Sequence, residues 1–75
     1  MDIHHLVKMA NEIGAFFAST SDHEEGVKSI AQHLKSFWDP RMRREIIEYA
    51  RSEHGDLTPI AREAVLRLGQ SQGHA

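Results

Sequence analysis

The chain has 75 residues and no cysteine, which limits it to one domain and excludes a disulfide framework, a thiolate zinc site and a cysteine-ligated iron–sulfur cluster. Nine Lys and Arg against eleven Asp and Glu give a formal charge of −2, the wrong balance for a general nucleic-acid binder, so any positive patch is local. With 40% hydrophobic and 27% charged residues, the composition also excludes disorder of the whole chain.

A chain of this length buries only about 60% of its unfolded surface. Its private core is thin, and stabilisation by a partner or by weak self-association is expected from size alone. Met1-Asp2-Ile3-His4-His5 lacks the basic and then apolar order of a secretory signal. No apolar run approaches the roughly 20 residues that span a bilayer. A cytoplasmic chain without a membrane anchor is expected.

Helical spacing recurs along the chain, and no stretch alternates with the period of a strand. In the first segment Ile3, Leu6, Val7, Ala10, Ile13, Gly14 and Phe17 form one apolar stripe behind an Asp2 cap, with Lys8, Asn11 and Glu12 on the water side. Ser19-Thr20-Ser21-Asp22 breaks it, and both Ser21…Glu24 and Asp22…Glu25 have capping-box spacing. The second stripe is Val27, Ile30, Ala31, Leu34, Phe37 and Trp38, and Asp39-Pro40 ends it because the residue before proline is driven out of the helical region.

Asp39 then suits the cap of a third helix with Pro40 in its first turn, where the missing N–H costs nothing. Met42, Ile46, Tyr49 and Ala50 form the third stripe, with Ile47 beside it, and Gly55 offers a left-handed stop after His54. Leu57-Thr58-Pro59 repeats the cap-and-proline device, and Leu57, Ile60, Ala61, Ala64, Val65 and Leu68 make the fourth stripe, closed by Gly69. The expectation is an all-α fold: a small single-domain bundle or orthogonal array of four short amphipathic helices over residues 1–69, with a flexible tail over 70–75.

Candidate chemistry is sparse. Six histidines suggest metal binding, but His4 and His5 point to different helix faces. His23, His33, His54 and His74 fall near different segment ends or on different helices, so solvent-facing or capping roles fit them better. Glu24-Glu25, Glu45…Glu48 and Glu53…Asp56 occupy polar helix positions, where a solvated face explains them. There is no nucleophile elbow, phosphate-cradling loop or cofactor fingerprint. No catalytic, cofactor-binding or metal-binding residue is therefore assigned.

Arg41, Arg43, Arg44 and Arg51 on the third helix raise a helix–turn–helix reading. The interleaved Glu45, Glu48 and Glu53 weaken it, because Arg41…Glu45, Arg44…Glu48 and Glu48…Arg51 have ion-pair spacing. Arginines at a helix N-terminus leave phosphate capture by a nucleotide-presenting chaperone open as well. Among the aromatics, Phe17 and one of Phe37 and Trp38 are expected in the core. Phe16 and the other member of the pair are expected at a rim, where exposed rings beside arginine are typical interface anchors.

Three stretches carry a resemblance: Met9-Ala10-Asn11-Glu12-Ile13-Gly14-Ala15-Phe16-Phe17, then His33-Leu34-Lys35-Ser36-Phe37-Trp38-Asp39-Pro40-Arg41-Met42-Arg43, then Gly55-Asp56-Leu57-Thr58-Pro59 with Ala64 downstream. From Leu6 to Leu68 the chain resembles the delta subunit of NAD-dependent formate dehydrogenase, the central stretch being the specific part. The resemblance implies a proline in the connection that is here Ser19-Thr20-Ser21.

The resemblance implies a cofactor-free accessory subunit of a cytoplasmic molybdenum or tungsten enzyme. The companion subunits would carry bis-molybdopterin guanine dinucleotide, iron–sulfur clusters and FMN and would oxidise formate with NAD. This chain would then support assembly, cofactor insertion or stability of the complex. On that reading Phe37 and Trp38 offer apolar contact area to the catalytic subunit, Asp39 and Pro40 hold the corner rigid, and Arg41 and Arg43 bond its carboxylates. A maturation factor that binds protein transiently and leaves the finished enzyme is the alternative, followed by a regulator that binds nucleic acid.

Overall fold

A computed structural model of the chain describes residues 2–19, 22–52 and 55–72, the side chains of residues 71 and 72 apart. It contains α1 (Ile3–Ala18), α2 (His23–Phe37), α3 (Pro40–Arg51) and α4 (Pro59–Gln72). No strand occurs among the described residues, and the all-α expectation holds. Thr20 and Ser21, Glu53 and His54, and the last three positions including His74 lie outside the described residues. The readings placed on them, the Ser21 cap among them, are outside it too.

Each helix start follows from its cap. The Asp2 carboxylate accepts from the His4 N–H, that of Asp22 from Glu25 and that of Asp39 from Met42, all three caps being in extended backbone that frees the side chain to turn back. Pro40 occupies the first turn of α3. Thr58 begins α4, with the Arg62 N–H donating to its carbonyl at 2.8 Å and the Ala61 N–H reaching its hydroxyl at 3.4 Å.

Two helix ends differ from expectation. α3 stops at Arg51, where Ser52 caps it through its backbone N–H and through a hydroxyl bond to the Glu48 carbonyl. Gly55 has no left-handed backbone and so is not the stop. Gly69 does not close α4, which runs on to Gln72. Gly69 serves packing instead: a Cβ there would sit 2.9 Å from Ile47 Cγ2 and 3.3 Å from the Arg51 guanidinium, so its bare backbone lets α3 lie close against α4.

α1 and α4 each pack against all three other helices, and the α2–α4 pairing is the most extensive. Leu6, Val7 and Ala10 of α1 meet Val27, Ile30 and Leu34 of α2, Ile46, Ile47 and Ala50 of α3, and Ala61, Ala64, Val65 and Leu68 of α4 in one buried cluster, with Leu57 and Trp38 completing it. Ile3, Ile13, Phe17, Met42, Tyr49 and Ile60 pack against its edge half-buried. Gly26, on no expected stripe, is buried because a Cβ there would meet Ile60 Cδ1 at 3.2 Å.

Polar ties join the elements at the surface. Arg67 of α4 grips both carboxylate oxygens of Glu24 in the first turn of α2 and lies 3.7 Å from Glu63, which in turn meets His23 at 2.7 Å. The Arg67 hydrogen bond holds the Glu24 carboxyl below its ordinary pKa. Asn11, expected to face water, instead bridges α1 to the segment before α4: its amide donates to the Asp56 carbonyl at 2.9 Å and its oxygen accepts from the Thr58 N–H at 2.9 Å. The Tyr49 hydroxyl donates to the Asp56 carboxylate, which raises the tyrosine pKa.

Candidate functional site

The α2–α3 corner separates side chains that are adjacent in sequence. Trp38 is not the last helical residue of α2 but its C-cap, with φ −91° and ψ 141°, as Pro40 disfavours helical backbone at Asp39 and helices usually end at or before that position. Its N–H still closes the helix on the Leu34 carbonyl at 2.9 Å, while the extended backbone swings the indole inward to 5% exposure. Phe37, one residue earlier and still helical, is left 75% exposed. The expectation that both rings offer contact area is corrected at Trp38, which belongs to the core.

The remaining corner residues divide in the same way. Asp39 and Pro40 are exposed but occupied in starting α3. Arg43 is half-buried and leans back over the end of α2, its Nη1 reaching the Lys35 carbonyl at 3.4 Å, with a buried Nε that has no hydrogen-bond partner. A cation there complements the negative end of α2, so Arg43 is engaged within the chain rather than turned toward an outside carboxylate. Arg41 is exposed and lies 3.4 Å from Glu45. The Arg44…Glu48 and Glu48…Arg51 pairs expected from spacing do not form, leaving that one ion pair along α3 among the described residues.

Phe37 is not isolated. His33, one turn before it on α2, places its ring 4.7 Å from that of Phe37 with the planes tilted by 38°. Phe17 of α1 lies 6.1 Å beyond His33, and Phe16 meets Phe17 edge-on at 5.1 Å and 84°. The four rings make a continuous strip from the end of α1 across the second half of α2. Phe16 at its far end is 64% exposed, so both ends of the strip project into solvent.

Two open grooves border these rings. One, of about 520 Å³, lies between Phe17, His33 and Phe37, with Lys28, Gln32 and Ser36 along its side. The other, of about 340 Å³, is bounded by Glu12, Ile13 and Phe16 and shares Phe17 and His33 with the first. The strip was legible only in part: the adjacency of Phe16 and Phe17 predicts one outward ring, but their meeting with His33 and Phe37 depends on how α1 and α2 cross.

Among the described residues no three His, Asp or Glu side chains gather where they could hold a metal ion. No helix is long and apolar enough to cross a membrane among them either.

The family model of the NADH-dependent formate dehydrogenase delta subunit, FdsD, matches residues 5–65. No curated protein matches the chain, nor does any solved structure. The matched residues span most of the chain, which therefore belongs to the formate dehydrogenase delta subunit family.

Proposed function

We propose that this member of the family is a non-catalytic accessory subunit of a cytoplasmic NAD-dependent formate dehydrogenase, and that it docks on the larger subunits through the strip formed by Phe16, Phe17, His33 and Phe37. The observation that carries the docking reading is the outward placement of Phe16 and Phe37 in a chain with few large side chains to spare. Sheltering those rings from water supplies the driving force for association. The rigid Asp39-Pro40 corner keeps Phe37 in place beforehand, which lowers the ordering cost of binding.

Formate oxidation and electron transfer to NAD belong, on this proposal, to partner subunits. Those subunits hold bis-molybdopterin guanine dinucleotide with molybdenum or tungsten, iron–sulfur clusters and FMN. The chain has no cysteine to ligate a cluster; among the described acids, Asp2, Asp22 and Asp39 cap helices, Asp56 bonds Tyr49, and Glu24 and Glu63 meet Arg67. Its contribution is to the assembly, stability or cofactor loading of the enzyme. Of the candidate contacts at the corner, Phe37 and Arg41 remain available; Asp39 and Pro40 act by holding them, and Trp38 and Arg43 act inside the fold.

Native mass spectrometry of the purified enzyme tests the accessory-subunit role. Retention of this chain at fixed stoichiometry is expected. Fully active enzyme that lacks it would assign it instead to a transient maturation step.

A further inference from the structure

The polar residues around the aromatic strip are unevenly charged. Along α2, Lys28, Gln32 and Lys35 follow one another at helical steps of four and three, forming a ridge beside the rings. Lys28 and Gln32 line the groove that holds Phe17, His33 and Phe37, where Ser29 and Ser36 are the other polar residues and no acid is present. Across the ridge a second open groove holds Lys28, Lys35 and Arg67 with Ala31 and Leu68, again without an acid.

Neither lysine has a carboxylate within ion-pair distance among the described residues. Lys28 is near enough to Glu24 to help lower its pKa, but both oxygens of Glu24 are taken by Arg67. A chain of net charge −2 thus carries two lysines outside any ion pair among the described residues directly beside its exposed rings. At the opposite end of the strip, next to Phe16, stands the single acid Glu12.

Resting on the docking role given above, we infer that the occupant of the strip is a partner-subunit segment with apolar side chains on one face and Asp or Glu along one flank, its carboxylates meeting Lys28 and Lys35. Opposed charge on the two surfaces steers the encounter and fixes the direction in which the segment lies. The strip's own polarity, lysines at the α2 side and Glu12 at the α1 side, allows one direction and penalises the reverse. A second copy of the chain is a poorer occupant, since beside its own rings it offers Glu12 alone to meet both Lys28 and Lys35. Stacked nucleobases fit less well, because His33 and Phe37 already cover part of each other's ring faces.

The test uses the enzyme complex assembled with full-length chain, treated with a carbodiimide that joins a lysine amine to a carboxylate in direct contact. Coupling of Lys28 or Lys35 to Asp or Glu in an apolar stretch of a partner subunit is expected. The Lys28→Glu, Lys35→Glu double variant, whose changes are both on exposed helix surface, should keep its helical circular dichroism. It should also bind the partner roughly tenfold more weakly at low salt, with the difference shrinking as salt rises.

Phe37→Ala is measured in parallel to report on the strip itself. If Phe37→Ala weakens the complex while the double variant binds within twofold of the parent and neither lysine couples, the acidic-segment inference is overturned and the docking role stands. Should Phe37→Ala leave binding unchanged, the docking role fails and the inference falls with it. Coupling of Lys28 to Glu12 between isotopically distinct copies would replace the inferred partner by a second copy. Salt-dependent oligonucleotide binding that competes with the partner would replace it by nucleic acid.

Discussion

At the residue scale, the sharpest contrast is between neighbours. Phe37 and Trp38 are both large apolar side chains at helical spacing, yet one is exposed and the other is core because the backbone leaves the helix between them. Trp38→Ala should cost about 3–5 kcal/mol, the usual loss for emptying a buried aromatic site, read as a fall in the denaturation midpoint followed by circular dichroism. Phe37→Ala should change stability by no more than about 0.5 kcal/mol in the same assay, as exposed positions do. Trp38 is the single tryptophan, so its emission should be blue-shifted in the native protein and unaltered by Phe37→Ala. The chain's single tyrosine gives a second clean signal. Tyr49 donates to the Asp56 carboxylate, which favours the neutral phenol in the folded state. Its absorbance titration should therefore have a midpoint above the ordinary value of about 10, and Asp56→Asn should bring it down. The raised folded value means that this bond stabilises the fold below the unfolded midpoint and is lost as pH climbs through the folded one.

At the element scale, the four stripes and three of the four caps were legible because helix period and capping chemistry are local properties. Asp2, Asp39 with Pro40, and Thr58 sit where the sequence places them, and spacing left Ser21 and Asp22 as alternatives until the structure put Asp22 at the start of α2. Gly55 and the absent Arg44…Glu48 and Glu48…Arg51 pairs are local misses; three others share a non-local cause. Asn11 reads as a water-facing residue of α1 because its partners, Asp56 and Thr58, are 45 and 47 residues away. Gly69 reads as a helix stop because nothing nearby in sequence announces Ile47 against it. Trp38 reads as a helical residue because its inward turn needs both the proline corner and a core to turn into. In this chain the Asn11 bridge ties the first resembling stretch to the third: one supplies the amide and the other the backbone that it holds. Asn11→Ala should lower stability by about 1–2 kcal/mol through the loss of two hydrogen bonds, measured by urea denaturation. Asn11→Asp should recover less than the full loss, since it keeps the acceptor for Thr58 and removes the donor for Asp56.

At the scale of the whole molecule, a thin core in which α2 and α4 make the most extensive pairing leaves, among the described residues, the large apolar side chains of Phe16 and Phe37 outside it. The strip joins the end of the first resembling stretch, Phe16 and Phe17, to the first half of the second, His33 and Phe37, so residues distant in sequence form one surface only after folding. Sequence spacing located half of that surface at the corner and credited it with Trp38 and Arg43, which the fold turns inward. The outward remainder, extended across α1, is the part offered to a partner. Co-purification of the Phe16→Ala, Phe37→Ala double variant with the formate dehydrogenase complex tests this most directly, with circular dichroism and Trp38 emission run alongside to confirm the native fold. A folded variant that is lost from the complex, against stoichiometric retention of the parent chain, is the predicted result; a folded variant retained in parental amount would contradict the docking role of the strip.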